Sequence, residues 1–291
     1  MNELELVKYK KKLIDALNVL NRICKDYNIK YFASGGTAIG AIRHKGFIPW
    51  DDDIDVCMLR EDYNRFIQLK DQVFDGHYKI MDYSEEGYCV PSAKFVDCNT
   101  ALWEVPNHPI MMGAYIDVFP LDFVEGSLDD IQILASKYRS AWNNYSRSLP
   151  YRHIPVIAHY LKRGNLRTAL KRIGDFVYYQ FFKQQLFKKF KEIEAEVLTK
   201  KGDRVLMYNT FYPIRREIIR LEAVEKTISM PFEDTTIQMP VGYDEYLSNL
   251  FGDYMKLPPE EKRVTHHSHV YLNMDNYVSL IEARRQNDLK F

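Results

Sequence analysis

The chain has 291 residues, 46% of them apolar, and its 40 Lys or Arg are balanced by 40 Asp or Glu, so it carries no net charge and no global field draws it to nucleic acid. That length holds one large domain, or a domain with a substantial helical subdomain, each with an ample core. No signal peptide and no apolar run of about eighteen residues is found, and Cys24, Cys57, Cys89 and Cys98 form no CxxC pair, so we expect a cytosolic protein with reduced thiols. Zinc held by Cys89 and Cys98 is the weaker alternative.

In chain order, residues 3–27 read as an amphipathic helix with Leu6, Leu13, Leu17, Leu20 and Cys24 on one stripe. Lys30-Tyr31-Phe32-Ala33-Ser34 is a short aromatic-rich run halted by Gly35-Gly36, which predicts a strand ending in a tight turn. A helix follows from Thr37, and its free N–H groups and positive dipole end face back over the glycines. Such an end holds phosphate: Gly35 and Gly36 let the backbone approach an anion, and Thr37 adds a hydroxyl donor. The same helix delivers Arg43 and His44 toward the cleft, as candidates for contact with donor or acceptor.

Asp53-Ile54-Asp55-Val56-Cys57-Met58 reads as the next strand, with Asp53 and Asp55 on one face and Ile54, Val56 and Met58 toward the core. Two carboxylates so placed repel each other, and a divalent cation removes that cost. Hard oxygen ligands suit Mg²⁺, with Mn²⁺ as the alternative. Asp51 and Asp52 read as loop or helper residues, and Cys57 as a small hydrophobe beneath the site. A helix from Arg60 to Val73 covers the sheet through Tyr63, Phe66 and Ile67. On the strand Ser92–Asp97, Lys94 faces away from Phe95 and Asp97 and is a candidate phosphate contact. Asp117 lies inside a β-prone apolar run, where a charge needs a partner or a metal, and it is the expected third ligand. Asp122 is the runner-up and Asp97 the third choice.

From Ser127 the pattern becomes helical, with runs at 129–146 and 164–200 separated by the proline-bearing stretch 149–155. Residues 151–200 carry eleven Lys or Arg against four Asp or Glu, interleaved with Phe176, Tyr178, Tyr179, Phe181, Phe182, Phe187 and Phe190. A solvated helix with an aromatic core stripe is the favoured reading, and a membrane-surface face reaching a lipid-linked glycan is the alternative. Residues 230–239 read as a hairpin leading to Pro240, and 243–251 as a short helix. His266, His267 and His269 cluster without an acidic or cysteine partner and read as structural rather than metal-binding.

The run Arg43-His44-Lys45-Gly46-Phe47-Ile48-Pro49-Trp50-Asp51-Asp52-Asp53-Ile54-Asp55 resembles the signature of the LicD family, the phosphocholine transferases that decorate bacterial teichoic acids and lipooligosaccharides; fukutin and fukutin-related protein share the domain. Ile116–Asp122 and Tyr254–His267 match the same family, so the resemblance covers about residues 30–270. It implies an α+β fold in which a nucleotidyltransferase-like mixed β-sheet is flanked by helices, with residues 1–125 as the catalytic core and a mainly helical region, 126–291, that binds the acceptor. It further implies a CDP-choline donor, release of CMP, and transfer of phosphocholine to a hydroxyl of a cell-surface glycan precursor. Carried over by position, Gly35, Gly36 and Thr37 become the phosphate cradle, Asp53 and Asp55 metal ligands, and Asp117 the third ligand and a base. Recognition of choline would use aromatic faces, with Trp50, Trp103, Tyr115 and Tyr243 as candidates. Four rivals stay open: another phospho-alcohol (ethanolamine, glycerol or ribitol), nucleotidyl transfer from an NTP, a glycosyltransferase using Asp53-Ile54-Asp55 as its DxD, and a catalytically silent nucleotide-binding module.

Overall fold

The computed structural model describes residues 1–88, 90–104, 110–149, 153–210, 212–265 and 269–286. Cys89, His266 and His267 lie outside the described residues, and the Cys89–Cys98 zinc alternative and the histidine cluster go with them.

Helix α1 (Glu3–Asp26) begins on a capping box: Asn2 Oδ1 accepts from Glu5 N–H at 2.9 Å, and the Glu5 carboxylate accepts from Asn2 N–H at 2.8 Å. Of its expected stripe Leu13, Leu17, Leu20 and Cys24 are buried and Leu6 is half-buried, and Tyr9 joins them in the core. The chain then forms β1 (Phe32–Ala33), α2 (Gly35–Arg43), β2 (Asp55–Leu59), α3 (Arg60–Ile67), β3 (Tyr78–Met81), β4 (Ala93–Asp97), β5 (Ala101–Trp103) and the long β6 (Tyr115–Val124). The sheet runs β1-β2-β6-β4-β3, with β2 and β6 parallel and the other pairs antiparallel, so it is a mixed sheet. Helix α1 packs on β4 and β6, and α3 on β2 and β6.

Helices α4 (Leu128–Ser146), α5 (Ile154–Lys162), α6 (Leu166–Phe181) and α7 (Lys183–Leu198) make up the helical stretch expected after Ser127. Beyond them come β7 (Arg204–Leu206), α8 (Ile214–Glu217), β8 (Ile219–Arg220), α9 (Leu221–Val224), β9 (Thr227–Phe232), β10 (Thr235–Pro240), α10 (Tyr243–Phe251), β11 (Tyr271–Asn273) and α11 (Leu280–Gln286). The second half of the chain is more than a helical annex. The far end of β6 pairs with β7 through Asp122↔Leu206 to Val124↔Arg204, and β7 pairs with β8, which extends the sheet past residue 125. A second core joins α4 to α7, where Phe190 sits among Tyr138, Trp142 and Tyr83. The aromatic core stripe is therefore found on α7. On α6 only Ala169 is buried, and α5 has no buried residue; Leu166, Leu170, Val177 and Phe181 of α6 and Ile154 and Leu161 of α5 are exposed.

Asp122, the runner-up metal ligand, is committed elsewhere. The Arg60 guanidinium grips both of its oxygens, at 2.6 and 2.7 Å, and the carboxylate side chain is only 3% exposed. Its even position on β6 turns it to the face opposite Asp117. Removing one member strands a buried charge, so Arg60→Leu is expected to lower unfolding stability by about 3–5 kcal/mol in urea titration. A loss under about 1 kcal/mol would mean that the pair is solvent-screened after all. Asp97 is likewise structural: fully buried, it accepts from Asn99 N–H at 3.0 Å and lies 3.5 Å from Lys12 Nζ.

Candidate active site

The sequence between α2 and β2 builds a wall of carboxylates by simple alternation. Asp51, Asp53 and Asp55 are half-buried, whereas Asp52, Ile54 and Val56 are buried, so the period-2 pattern begins before the strand itself. Asp51, Asp53 and Asp55 all line one cleft of about 790 Å³. Asp117 joins them because β2 and β6 are parallel and in register, Asp55↔Asp117, with Asp117 N–H donating to Ile54 O at 3.0 Å. Asp51, read as a helper, thus stands in the same row as the expected ligands.

The opposite lip is the start of α2. Ser34 caps it in extended geometry, and Gly35 adopts φ +52°, a conformation that disfavours any side chain. At Gly36 a Cβ would lie 2.5 Å from Asp51 Oδ2, so any side chain there would push that carboxylate out of its place in the acidic row. Both glycines line the cleft, but part of the expected cradle is already used. Gly35 N–H donates to Tyr246 Oη at 3.2 Å, and Ser34 Oγ lies 2.9 Å from the same hydroxyl. Thr37 lies beneath the cleft rather than in it: it is buried, and its Oγ1 accepts from Asp55 N–H at 2.8 Å, which pins the strand carrying the carboxylates.

Lys94 is also placed differently from the expectation. It sits directly across from Asp117 on β4, its Nζ 2.7 Å from Asp117 Oδ1 and 3.4 Å from the Tyr115 ring centroid, and it does not line the cleft. Arg43 does line the cleft, but its Nη1 donates to Tyr254 O at 2.9 Å, so it also ties the family-like C-terminal run to α2. Burial, with Arg263 nearby, lowers the pKa of this guanidinium. His44 has passed the end of the helix; it accepts from Arg43 Nε at 2.9 Å, and burial together with that neighbour lowers its pKa. Among the aromatic candidates, Trp103 is fully buried, Tyr115 is core and Tyr243 does not line the cleft, leaving Trp50 there, with Arg263 5.6 Å from its ring.

Two contributors were missed. The tip of the β9–β10 hairpin reaches over the loop before β2: the Glu233 carboxylate accepts from Phe47 N–H at 2.9 Å, and Glu233 N–H donates to Lys45 O at 2.8 Å. Gly46 leaves room there, since a Cβ would displace the Glu233 carboxylate. The second is Glu217 of α8, which lines the cleft yet is only 3% exposed. Thr210 Oγ1 donates to Glu217 Oε1 at 2.7 Å, and burial pushes the carboxyl up to about 7. Cys57 of β2, Tyr246 of α10 and Tyr212 feel its charge, and Tyr212 and Cys57 feel Asp55 as well. No local pattern around Ile214-Arg215-Arg216-Glu217 marks it; only the fold brings it to the cleft.

The donor set fits a hard divalent cation by chemistry: carboxylate oxygens alone, half-buried, on adjacent strands and facing one cavity. Among the described residues no group of three His, Cys, Asp or Glu side chains stands as a ready-made cage. Asp117 is paired with Lys94 at 2.7 Å.

Residues 28–162 match the domain described as LicD/FKTN/FKRP, nucleotidyltransferase domain. Over 271 residues the chain is 32% identical to the lipopolysaccharide cholinephosphotransferase LicD of Haemophilus influenzae, covering 92% of this chain and 97% of that one. Shorter matches, over 53 residues, reach uncharacterized proteins of Rickettsia typhi (45% identical, 18% of this chain and 17% of that one) and Rickettsia prowazekii (47%, 18% and 20%).

Proposed function

The chain belongs to the LicD family of transferases, and from that premise we propose that it moves phosphocholine from CDP-choline to a hydroxyl of a cell-surface glycan precursor, of lipopolysaccharide or teichoic acid type, and releases CMP. The observation that carries this reading is the cleft in which Asp53, Asp55 and Asp117 face the glycine-lipped end of α2, within a chain matched along almost its whole length to a cholinephosphotransferase. Asp53, Asp55 and Asp117 would hold Mg²⁺ or Mn²⁺, with Asp51 adjoining. Bound there, such an ion supplies neutralisation of the diphosphate charge.

The chain's own residues do the rest. The Gly35–Gly36 end of α2 receives phosphate oxygens, and Arg43 adds a fixed positive charge at the same lip. Trp50, Tyr212 and Phe251 give the cleft aromatic faces suited to a quaternary ammonium, the last two edge to face at 5.5 Å. The acceptor oxygen bonds to the phosphorus distal to cytidine, the bond from that phosphorus to the bridging oxygen breaks, and CMP leaves with the bridging oxygen. Glu217 takes the acceptor proton on its carboxylate, a role that suits a buried acid poised near neutrality better than it suits Asp117, which Lys94 holds as an ion pair.

The test is CMP release from CDP-choline, CDP-ethanolamine, CDP-glycerol and CDP-ribitol, with a glycan acceptor, in Mg²⁺ or in EDTA, with CTP and UDP-sugars as controls. Turnover of CDP-choline is expected in Mg²⁺, falling to background in EDTA. Preferred release from another CDP-alcohol would reassign the group moved. Pyrophosphate from CTP would replace the reaction with nucleotidyl transfer, and UDP release with glycosyl transfer.

A further inference from the structure

Helices α5 and α6 pack on each other, joined through Gly164 at φ +68°. On α6, Leu166, Leu170, Ile173, Val177 and Phe181 follow one another at helical spacing and fall within about 80° of its circumference, at about 100° per residue. Helical apolar stripes of this kind face a core, yet this one faces outward: Leu166 is 62% exposed, Leu170 67%, Val177 59% and Phe181 74%. On α5, Ile154 and Leu161 continue the apolar surface at 55% and 47% exposure. The underside is what fixes the hairpin to the body. His153 packs its ring on Phe176 and Tyr179, Arg147 Nη1 donates to Tyr179 Oη at 3.1 Å, and Gln180 donates to Ser148 O.

The charge around this surface has one sign. Between residues 154 and 183 stand Lys162, Arg163, Arg167, Lys171, Arg172 and Lys183, against the single acid Asp175. A second copy of the chain seated here about a two-fold axis would set two basic rims against each other. At 16 residues α6 is about 24 Å long, too short to cross a bilayer of about 30 Å, and no described helix is long and apolar enough to span one. An exposed apolar stripe with flanking Lys and Arg, on a helix that cannot span, is the pattern of a helix lying in the plane of an interface.

We propose that the α5–α6 hairpin is a docking element for the surface of an anionic lipid bilayer, with the α6 stripe set among the acyl chains and the basic side chains among the head groups. It holds whichever group the cleft transfers, so its failure and that of the donor assignment are separable.

The test is co-sedimentation of the full chain with vesicles of phosphatidylcholine alone or mixed equally with phosphatidylglycerol, at low and high salt. Binding to the mixed vesicles is expected to exceed that to the neutral ones by about tenfold or more, and to weaken as salt rises. Leu170→Glu/Val177→Glu/Phe181→Glu should lose that binding while keeping the wild-type melting temperature and the wild-type rate of CMP release with a water-soluble acceptor. Independently, Val177→Trp should shift its fluorescence to the blue with mixed vesicles and not with neutral ones. Wild-type chain left in the supernatant, or a triple variant that still sediments, would overturn the proposal. So would a dimer in light scattering that the triple variant dissolves, which would assign the face to self-association.

Discussion

Asp55→Asn is expected to lower the rate of CMP release by about a thousandfold or more, equivalent to about 4 kcal/mol of transition-state stabilisation, while leaving the fold intact. The argument rests on where Asp55 stands. Its N–H is pinned by Thr37 Oγ1, its carbonyl accepts from Ser34 N–H at 2.9 Å, and its carboxylate adjoins Asp117 across a parallel register. Asparagine is nearly isosteric and keeps both backbone bonds, so position survives while one of four acidic charges is lost. Because the row repels itself, the metal-free variant should melt at the wild-type temperature or slightly above it. Added Mn²⁺ should raise the melting temperature of the wild type and do so much less for the variant. Turnover within tenfold of wild type would remove Asp55 from the catalytic machinery.

Glu217→Gln is expected to separate stability from activity. The folded-state pKa, about 7, lies above the ordinary value of 4.5, so folding takes up a proton between those limits. The stability linked to this group is therefore complete below about pH 4.5 and is lost as the pH rises through 7. At pH 8 the wild type bears the whole cost of a buried anion, about 3 kcal/mol as an order of magnitude. Glutamine has no charge to bury and can still accept from Thr210 Oγ1, so the variant should unfold at higher urea than wild type at pH 8 and match it at pH 4.5. Catalysis should move the other way: the wild-type rate should rise with pH through about 7 as the carboxylate forms, and the variant should lose about 10²–10⁴-fold and that inflection with it. A variant that keeps both rate and pH profile would return the proton to another group.

What could be read from the chain beforehand was local in origin. The glycine turn, the alternation through Asp53 and Asp55, and a lone acid in the apolar run around Asp117 each announce themselves within a few residues, and the family-like runs then join them. The α+β architecture with its mixed sheet was what the family resemblance implied, and the sheet order bears it out. What could not be read depends on long-range pairing. Glu217 is an unremarkable acid between arginine and isoleucine until β7 and β8 carry α8 to the cleft. Lys94 looked like a phosphate contact because strand alternation gives a side but not a cross-strand partner, and the partner proved to be Asp117. The outward stripe of α6 shows the limit of periodicity itself: spacing identifies an apolar face without saying whether protein covers it.

Tyr246 holds Ser34 and Gly35 from more than two hundred positions away, and Glu233 holds the loop at Phe47 from 186 positions away. The family domain match ends at residue 162, short of both of these supports. A fragment cut at that point would keep Asp51, Asp53, Asp55 and Asp117 but lose Asp253 and the props that shape the lip of the cleft. The lip of the cleft is thus held by a hydroxyl and a carboxylate from the second half of the chain, so the two halves of this protein are one working unit.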